Sequence, residues 1–165
     1  MHIGECRTSF LYILKTCNDE NQIICGRDIH FDIVKCGFEG DSVIGNALVS
    51  MYAKWGMLVE ILEVFDKMGG QTTVSWTKTI VGYIKLGFHE KALRCLEQMP
   101  LQGILIDDVT FLCGLRACGN TNAFYDGLAI HAQIVEEGFD GHTPVCDTFL
   151  HMYARCGYLL KHWIC

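Results

Sequence analysis

"SVIGNALVSMYAKWG", residues 42–56, and "TPVCDTFLHMYARCG", residues 143–157, close on the same phrase: Met-Tyr-Ala, a basic residue, one variable residue and a glycine. Their surroundings repeat as well. At an offset of 101, Phe10 pairs with Phe111, Leu14 with Leu115, Cys17 with Cys118, Gly26 with Gly127, Ile29 with Ile130 and His30 with His131. From Thr8/Val109 to Gly56/Gly157, 17 of 49 pairs are identical without a gap, where unrelated segments give on the order of three. A shorter register lies inside: at an offset of 31, Tyr52 meets Tyr83, Lys54 meets Lys85, Gly56 meets Gly87 and Met68 meets Met99. The long period therefore divides into one unit of 31 residues and two of 35.

Bulk properties bound what such units build. Half of the 165 residues are hydrophobic and 19% are charged, enough apolar surface to bury a core and too little charge for disorder. The two prolines, Pro100 and Pro144, leave long stretches open to helix. No apolar run approaches the roughly 18 residues of a membrane span. The opening "MHIGECRTSF" has Glu5, one arginine and no apolar or Arg/Ser-rich continuation, so no targeting segment is visible. On this reading the chain stays where it is made, or is a piece of a longer protein. The ten cysteines lack a secretory context, and Cys17, Cys95 and Cys118 fall on core positions of helical patterns, which predicts reduced thiols packed as small hydrophobes.

Residues 73–107 show the plan of one unit. Val74, Ile80, Val81, Ile84 and Leu86 follow a helical period, and Gly87 supplies a left-handed stop. A second helix carries Ala92, Leu93, Leu96 and Met99 on one face and Glu90, Lys91, Arg94, Glu97 and Gln98 on the other. Pro100 falls in its last turns and Gly103 marks the exit. The same plan predicts helices near 8–17, 22–36, 43–54, 58–68, 109–118, 123–137 and 144–155. A single pair cannot bury its own apolar face, so neighbouring pairs must stack. The expected fold is all-α: a right-handed solenoid of about five helix-turn-helix repeats over residues 7–165.

The texture resembles the pentatricopeptide repeat proteins of plants, specifically the subclass that alternates P, L and S motifs. "SVIGNALVSMYAKWGMLVEILEVFDKM" is similar to an S motif, "TVSWTKTIVGYIKLGFHEKALRCLEQM" to a P motif and "TFLCGLRACGNTNAFYDGLAIHAQIVEEGF" to an L motif. The resemblance gives units L at 7–41, S at 42–72, P at 73–107, L at 108–142 and a partial S from 143 to 165. The repeated phrase then closes the first helix of each S unit. What the resemblance implies is binding of single-stranded RNA along a groove of first helices, one base per unit, read by two or three side chains. The spacing of helical pairs is comparable to one stretched nucleotide, which makes that match possible.

In this family the fifth and last residues of a unit read the base. The resemblance therefore implies contacts by Asn46 and Thr72 in the S unit, by Thr77 and Asp107 in the P unit, and by Asp147 in the last unit. Thr77 with Asp107 implies guanine; Asn46 implies a pyrimidine. Thr72 stands where aspartate is usual, and Asp147 where asparagine is usual. Val43, Val74 and Val109, at second positions, are the implied plates sandwiching the bases, while the fifth residues Leu11 and Leu112 of the L units cannot hydrogen-bond one. Local helix chemistry offers a plainer account of the same residues: Thr77 as an exposed first-turn residue, and Asp107 with Asp108 as an N-cap and first-turn acid ahead of "VTFL".

Charge restrains the expectation. Lys and Arg number 13 against 19 Asp and Glu, a poor supply of phosphate partners, and an isolated chain is expected to bind RNA no tighter than about micromolar. Lys15, Lys54, Lys85, Arg116 and Arg155 recur near the ends of first helices, as a basic line or as partners of the helix C-terminus. Catalytic patterns are missing. No H-x-E or P-C-x-x-C deaminase signature, phosphate loop or dinucleotide fingerprint occurs, and the chain is not expected to be an enzyme or to hold a cofactor. His151, Cys156, His162 and Cys165 crowd the tail, but Cys156 takes the turn position of Trp55, so no metal is expected. By resemblance the setting is a mitochondrion or chloroplast, as part of an RNA-processing or C-to-U editing specificity factor that meets other editing proteins. The competing reading is a solenoid for protein contacts, or a remnant without function.

Overall fold

The structure is a computed structural model that describes residues 3–17, 22–139, 141 and 143–158. Among these residues there are nine α-helices and no strand. The chain divides into two compact units, one up to Gly82 and one from Tyr83. It is an all-α helical repeat, as its periodicity requires.

In the first unit α1 (Ile3–Thr16) and α2 (Ile23–Lys35) form one pair, and α3 (Ser42–Lys54) and α4 (Leu58–Lys67) the next. α5 (Thr73–Lys85) begins in this unit. The core gathers Leu14, Ile29, Ile33, Ile44, Leu48, Met51, Tyr52, Ile61, Val64 and Met68. Ile61, Val64, Phe65 and Met68 show how it is specified: spaced by three and four residues, they put one face of α4 inside. Gly26 sets how near α2 can come to α3, since a β-carbon there would lie 2.5 Å from the Trp55 ring. Phe65 and Trp76 meet edge to face at 4.8 Å, tying α4 to α5.

The second unit holds α6 (His89–Leu101), α7 (Asp108–Thr121), α8 (Phe124–Glu136) and α9 (Thr143–Arg155). α7 lies centrally, packed against α6, α8 and α9. Its Phe111, Cys113, Leu115, Ala117 and Cys118 are buried, and Gly114 admits Leu96 of α6 and Ile130 of α8. Burial pushes the Cys118 thiol up to about 12 and the Cys95 thiol to about 11, so these groups stay protonated and inert. The nine described cysteines are free thiols.

The helix ends explain the opening phrase. Gly56 has φ +68° and Gly157 φ +73°, a conformation that costs glycine nothing. Each lets the next amide turn back to the phrase's tyrosine: Met57 N–H donates to Tyr52 O, and Tyr158 N–H to Tyr153 O, both at 3.0 Å. The expectation fails at α7, which runs three residues past the anticipated end at 118. Gly119 continues the helix, and the left-handed stop is Asn122, φ 58°, from which Ala123 N–H reaches Cys118 O at 3.0 Å. Arg116 consequently sits within the helix rather than in its last turn, a correction to its expected place in the basic line. α1 likewise starts earlier than anticipated, at Ile3.

Candidate nucleic-acid interface

Asp41, Thr72 and Asp107 each stand immediately before a helix, α3, α5 and α7 respectively. Asp41 caps α3, accepting from Val43 N–H at 2.9 Å and Ile44 N–H at 3.0 Å, while Arg7 Nε donates to its other oxygen at 2.7 Å. The bond from Arg7 holds the Asp41 carboxyl below its usual range. Thr72 precedes α5: its N–H donates to Ser75 Oγ at 2.9 Å, and Ser75 N–H returns to Thr72 Oγ1 at 3.4 Å. Asp107 caps α7, its Oδ1 accepting from Thr110 N–H and Thr110 Oγ1. A short polar side chain is therefore held by capping hydrogen bonds where each of these helices begins.

One of these caps reaches across its unit. Thr72 Oγ1 donates to Asn46 Oδ1 at 3.0 Å, joining two residues 26 positions apart. Asn46 lines a cleft of about 330 Å³ between α1 and α3, with Val43, Ala47, Ser50, Lys15, Lys54 and Leu11 among its walls. The bond fixes the amide plane and commits one lone pair, leaving the NH₂ to donate. Lys15 and Lys54 lie in the last turns of α1 and α3 with exposed side chains. The apolar wall includes Leu11 of α1.

The corresponding cleft of the second unit lies between α7 and α9. It measures about 380 Å³ and is lined by Arg116, Asn120, Asp147, Thr148, His151 and Ile84. Asp147 is exposed. Thr148 is turned to its own helix, donating to Pro144 O at 2.8 Å, and Arg155 Nε donates to Gly119 O at 3.1 Å, capping α7 rather than facing the cleft alone.

Val43, Val74 and Val109 form the most regular series, 50%, 50% and 48% exposed respectively. Each stands in the first turn of its helix and is about half exposed. Thr77 is buried at 8% exposure, with its hydroxyl donating to Thr73 O at 2.7 Å; as an exposed first-turn residue it is therefore misdescribed. Thr77 falls in the first compact unit and Asp107 in the second.

One pairing went unrecognised in the residues. His30 Nδ1 is hydrogen-bonded to Tyr52 Oη at 2.8 Å, and His131 Nδ1 to Tyr153 Oη at 2.7 Å. In both units the second helix of one pair is pinned to the first helix of the next. The signal was present, since both partners are identical at the offset of 101. Among the described residues no group of three or more His, Cys, Asp or Glu gathers to hold a metal ion; His162 and Cys165 lie outside the described residues. No described helix is long and apolar enough to cross a membrane.

Comparison with known proteins places these features. The PPR repeat family profile matches residues 46–71 and 74–104. A chloroplastic pentatricopeptide repeat-containing protein of Arabidopsis thaliana is 33% identical over 145 residues, 88% of this chain and 24% of the relative. A mitochondrial one from the same plant is 32% identical over 163 residues, 96% of this chain and 21% of the relative. Another chloroplastic one is 32% identical over 151 residues, 92% of this chain and 19% of the relative. The chain thus spans a quarter or less of the length of these relatives. With helix pairs stepping at 31 and 35 residues and the matched repeats at their centre, the chain is a pentatricopeptide repeat protein.

Proposed function

We propose that the chain is a sequence-selective module for single-stranded RNA, built of L, S, P, L and partial S units, within an organellar RNA-processing or C-to-U editing specificity factor. The observation that carries this reading is the Thr72–Asn46 hydrogen bond inside a cleft that also holds Val43, Lys15 and Lys54. The cleft combines what an unstacked base needs: a fixed amide for its Watson–Crick edge, a half-exposed aliphatic plate for its face, and two ammonium groups for the flanking phosphates. Hydrogen bonding to a preset amide costs little ordering on binding. The organellar setting draws on the relatives named chloroplastic and mitochondrial.

The net charge of −6 limits affinity, so the isolated chain is expected to bind a pyrimidine-rich oligonucleotide with Kd in the micromolar range or weaker. Lys15→Ala and Lys54→Ala should each reduce the slope of log K against log salt by about 0.7. Asn46→Ala should weaken binding without altering that slope. Fluorescence anisotropy across a salt series checks all three, and binding indifferent to both Asn46 and the lysines would refute the assignment. A protein-contact role draws on a separate observation, the exposed Ile24 and Phe31 of α2 and Tyr125 of α8. Unchanged RNA affinity in the cleft variants would leave that reading in front.

A further inference from the structure

The offset of 101 fails at one buried place. In the first unit an indole fills the space above Gly26: a β-carbon there would lie 2.5 Å from the Trp55 ring and 3.0 Å from Met51 Sδ. The counterpart, Gly127, faces sulfur instead, because Cys156 stands where the repeat has Trp55. A β-carbon on Gly127 would lie 2.8 Å from Met152 Sδ and 3.5 Å from the Cβ of Cys118. Cys156 Sγ is 3.9 Å from Met152 Sδ and 3.9 Å from the backbone oxygen of Cys118, toward which its thiol donates weakly. Cys118 and Met152 are fully buried, and Cys156 is partly exposed. Two thiols and a thioether, from α7, α9 and the residue that ends α9, thus share one small volume within the second compact unit.

We propose that Cys118, Met152 and Cys156 form a binding site for a soft monovalent cation, copper(I). Metal–sulfur bonds of about 2.3 Å set the sulfurs of a trigonal centre about 4 Å apart, and the Cys156–Met152 pair already has that spacing. Ligand type decides the ion. Thiolate with thioether selects copper(I), whereas zinc takes imidazole, carboxylate or a fuller set of thiolates. No three His, Cys, Asp or Glu gather among the described residues to supply such a set. Asp126, whose charge is felt at Cys118, lines the separate cavity between α6 and α8. Binding exchanges the two thiol protons for the cation and releases them to solvent. Burial raises both thiols, so an ion that bonds sulfur weakly is excluded, and Cys118 stays inert until copper(I) displaces its proton. The bound ion ties the end of α9 to α7. This site is independent of the RNA-binding reading.

The test is an anaerobic titration of the whole 165-residue chain with copper(I) in competition with bicinchoninate, excess ascorbate keeping the metal reduced. Cys156→Ser and Cys118→Ala should each lose one equivalent that the unaltered chain takes from the competitor. Cys156→Trp, which restores the first unit's residue, should lose it as well. Met152→Leu, close in volume, should weaken it by at least about tenfold, the cost of losing even a group that only supports a ligand. Cys36→Ser, at an exposed thiol, should change nothing. In thermal unfolding, one equivalent should raise the Tm of the unaltered chain and leave that of Cys156→Ser where it was. In carbon–proton correlation spectra the Met152 methyl resonance, identified by its absence from Met152→Leu, should shift on adding copper(I). That last measurement is made on the unaltered chain, so it decides the matter even if a variant fails to fold. A Met152 methyl that does not move, or an equivalent retained in full by Cys156→Ser and Met152→Leu, overturns the assignment. Equal loss from Cys36→Ser means adventitious thiol binding only, and overturns it too.

Discussion

The cleft between α1 and α3 and the cleft between α7 and α9 are the same construction written twice with different contents. Behind them, residue for residue, stand identical buried side chains: Leu14 and Leu115, Cys17 and Cys118, Ile33 and Ile134, Met51 and Met152. In front of them the pairs diverge, Asn46 against Asp147, Lys15 against Arg116, Ser50 against His151. Close packing punishes any change of volume in the back layer, while a side chain facing open space is free to vary with what it must meet. The buried scaffold and the open cleft surface are therefore separable, and the comparison can be broken by showing that they are not.

The largest effects fall on the back layer. Ile33→Ala and Ile134→Ala remove equivalent side chains, each at 0% exposure, and each should cost about 2–5 kcal/mol in urea unfolding. Costs differing by more than about 2 kcal/mol, on the spread expected of such truncations, would mean that the two pairs do not share one packing plan. Gly26 and Gly127 sharpen the point, because their surroundings differ in stiffness. A β-carbon at Gly26 meets the Trp55 ring at 2.5 and 2.7 Å, whereas at Gly127 it meets the Sδ and Cε of Met152 at 2.8 Å. An indole cannot fold away; a thioether can. Gly26→Ala should destabilise by about 1–3 kcal/mol. Gly127→Ala should lie near neutral, since helix propensity returns about 1 kcal/mol. Equal losses in thermal unfolding would refute the stiffness argument.

What was legible in the sequence follows the same division. Buried residues repeat, so the period, the pairing of helices and the glycine stops could all be read from the offsets of 31 and 101. The end of α7 could not, because the left-handed residue there is Asn122 and the more visible Gly119 is held inside the helix against Met152 and Arg155. A glycine signals permission to turn, not an obligation. At the interface, the partnership of Asn46 with Thr72 came from family resemblance, since nothing local links residues 26 apart. The engagement of Thr77 by Thr73 O was hidden for a different reason: back-bonding of a hydroxyl to the preceding turn depends on its rotamer. Arg155 illustrates a third limit, its bond to Gly119 O being settled by the extra length of α7.

An effect smaller than the core truncations concerns the two histidine–tyrosine bonds that hold second helices to first helices. Tyr52 is only 1% exposed, and burial raises its hydroxyl to about 12; burial raises Tyr153 as well, from a partly open site. Tyr52→Phe should cost about 1 kcal/mol at neutral pH, because His30 Nδ1 loses its partner, and Tyr153→Phe should cost less. The pH response separates a lost hydrogen bond from lost packing. Folded Tyr52 keeps its proton while the unfolded phenol ionises near 10, so its contribution is intact below about pH 10 and is lost as pH rises through 12. His30 acts at the other end. Burial, reinforced by Lys67, lowers its pKa below the ordinary 6.5 against the opposing pull of Glu39, Glu63 and Glu60. The unfolded imidazole then takes up a proton first, and stability falls as pH drops through 6.5 toward the folded value. Urea midpoints taken from about pH 5 to 11 should therefore decline at both ends, with the alkaline decline reduced in Tyr52→Phe and the acid decline reduced in His30→Gln. A pH profile unchanged by either substitution would mean that the bond repeated in each unit serves packing alone.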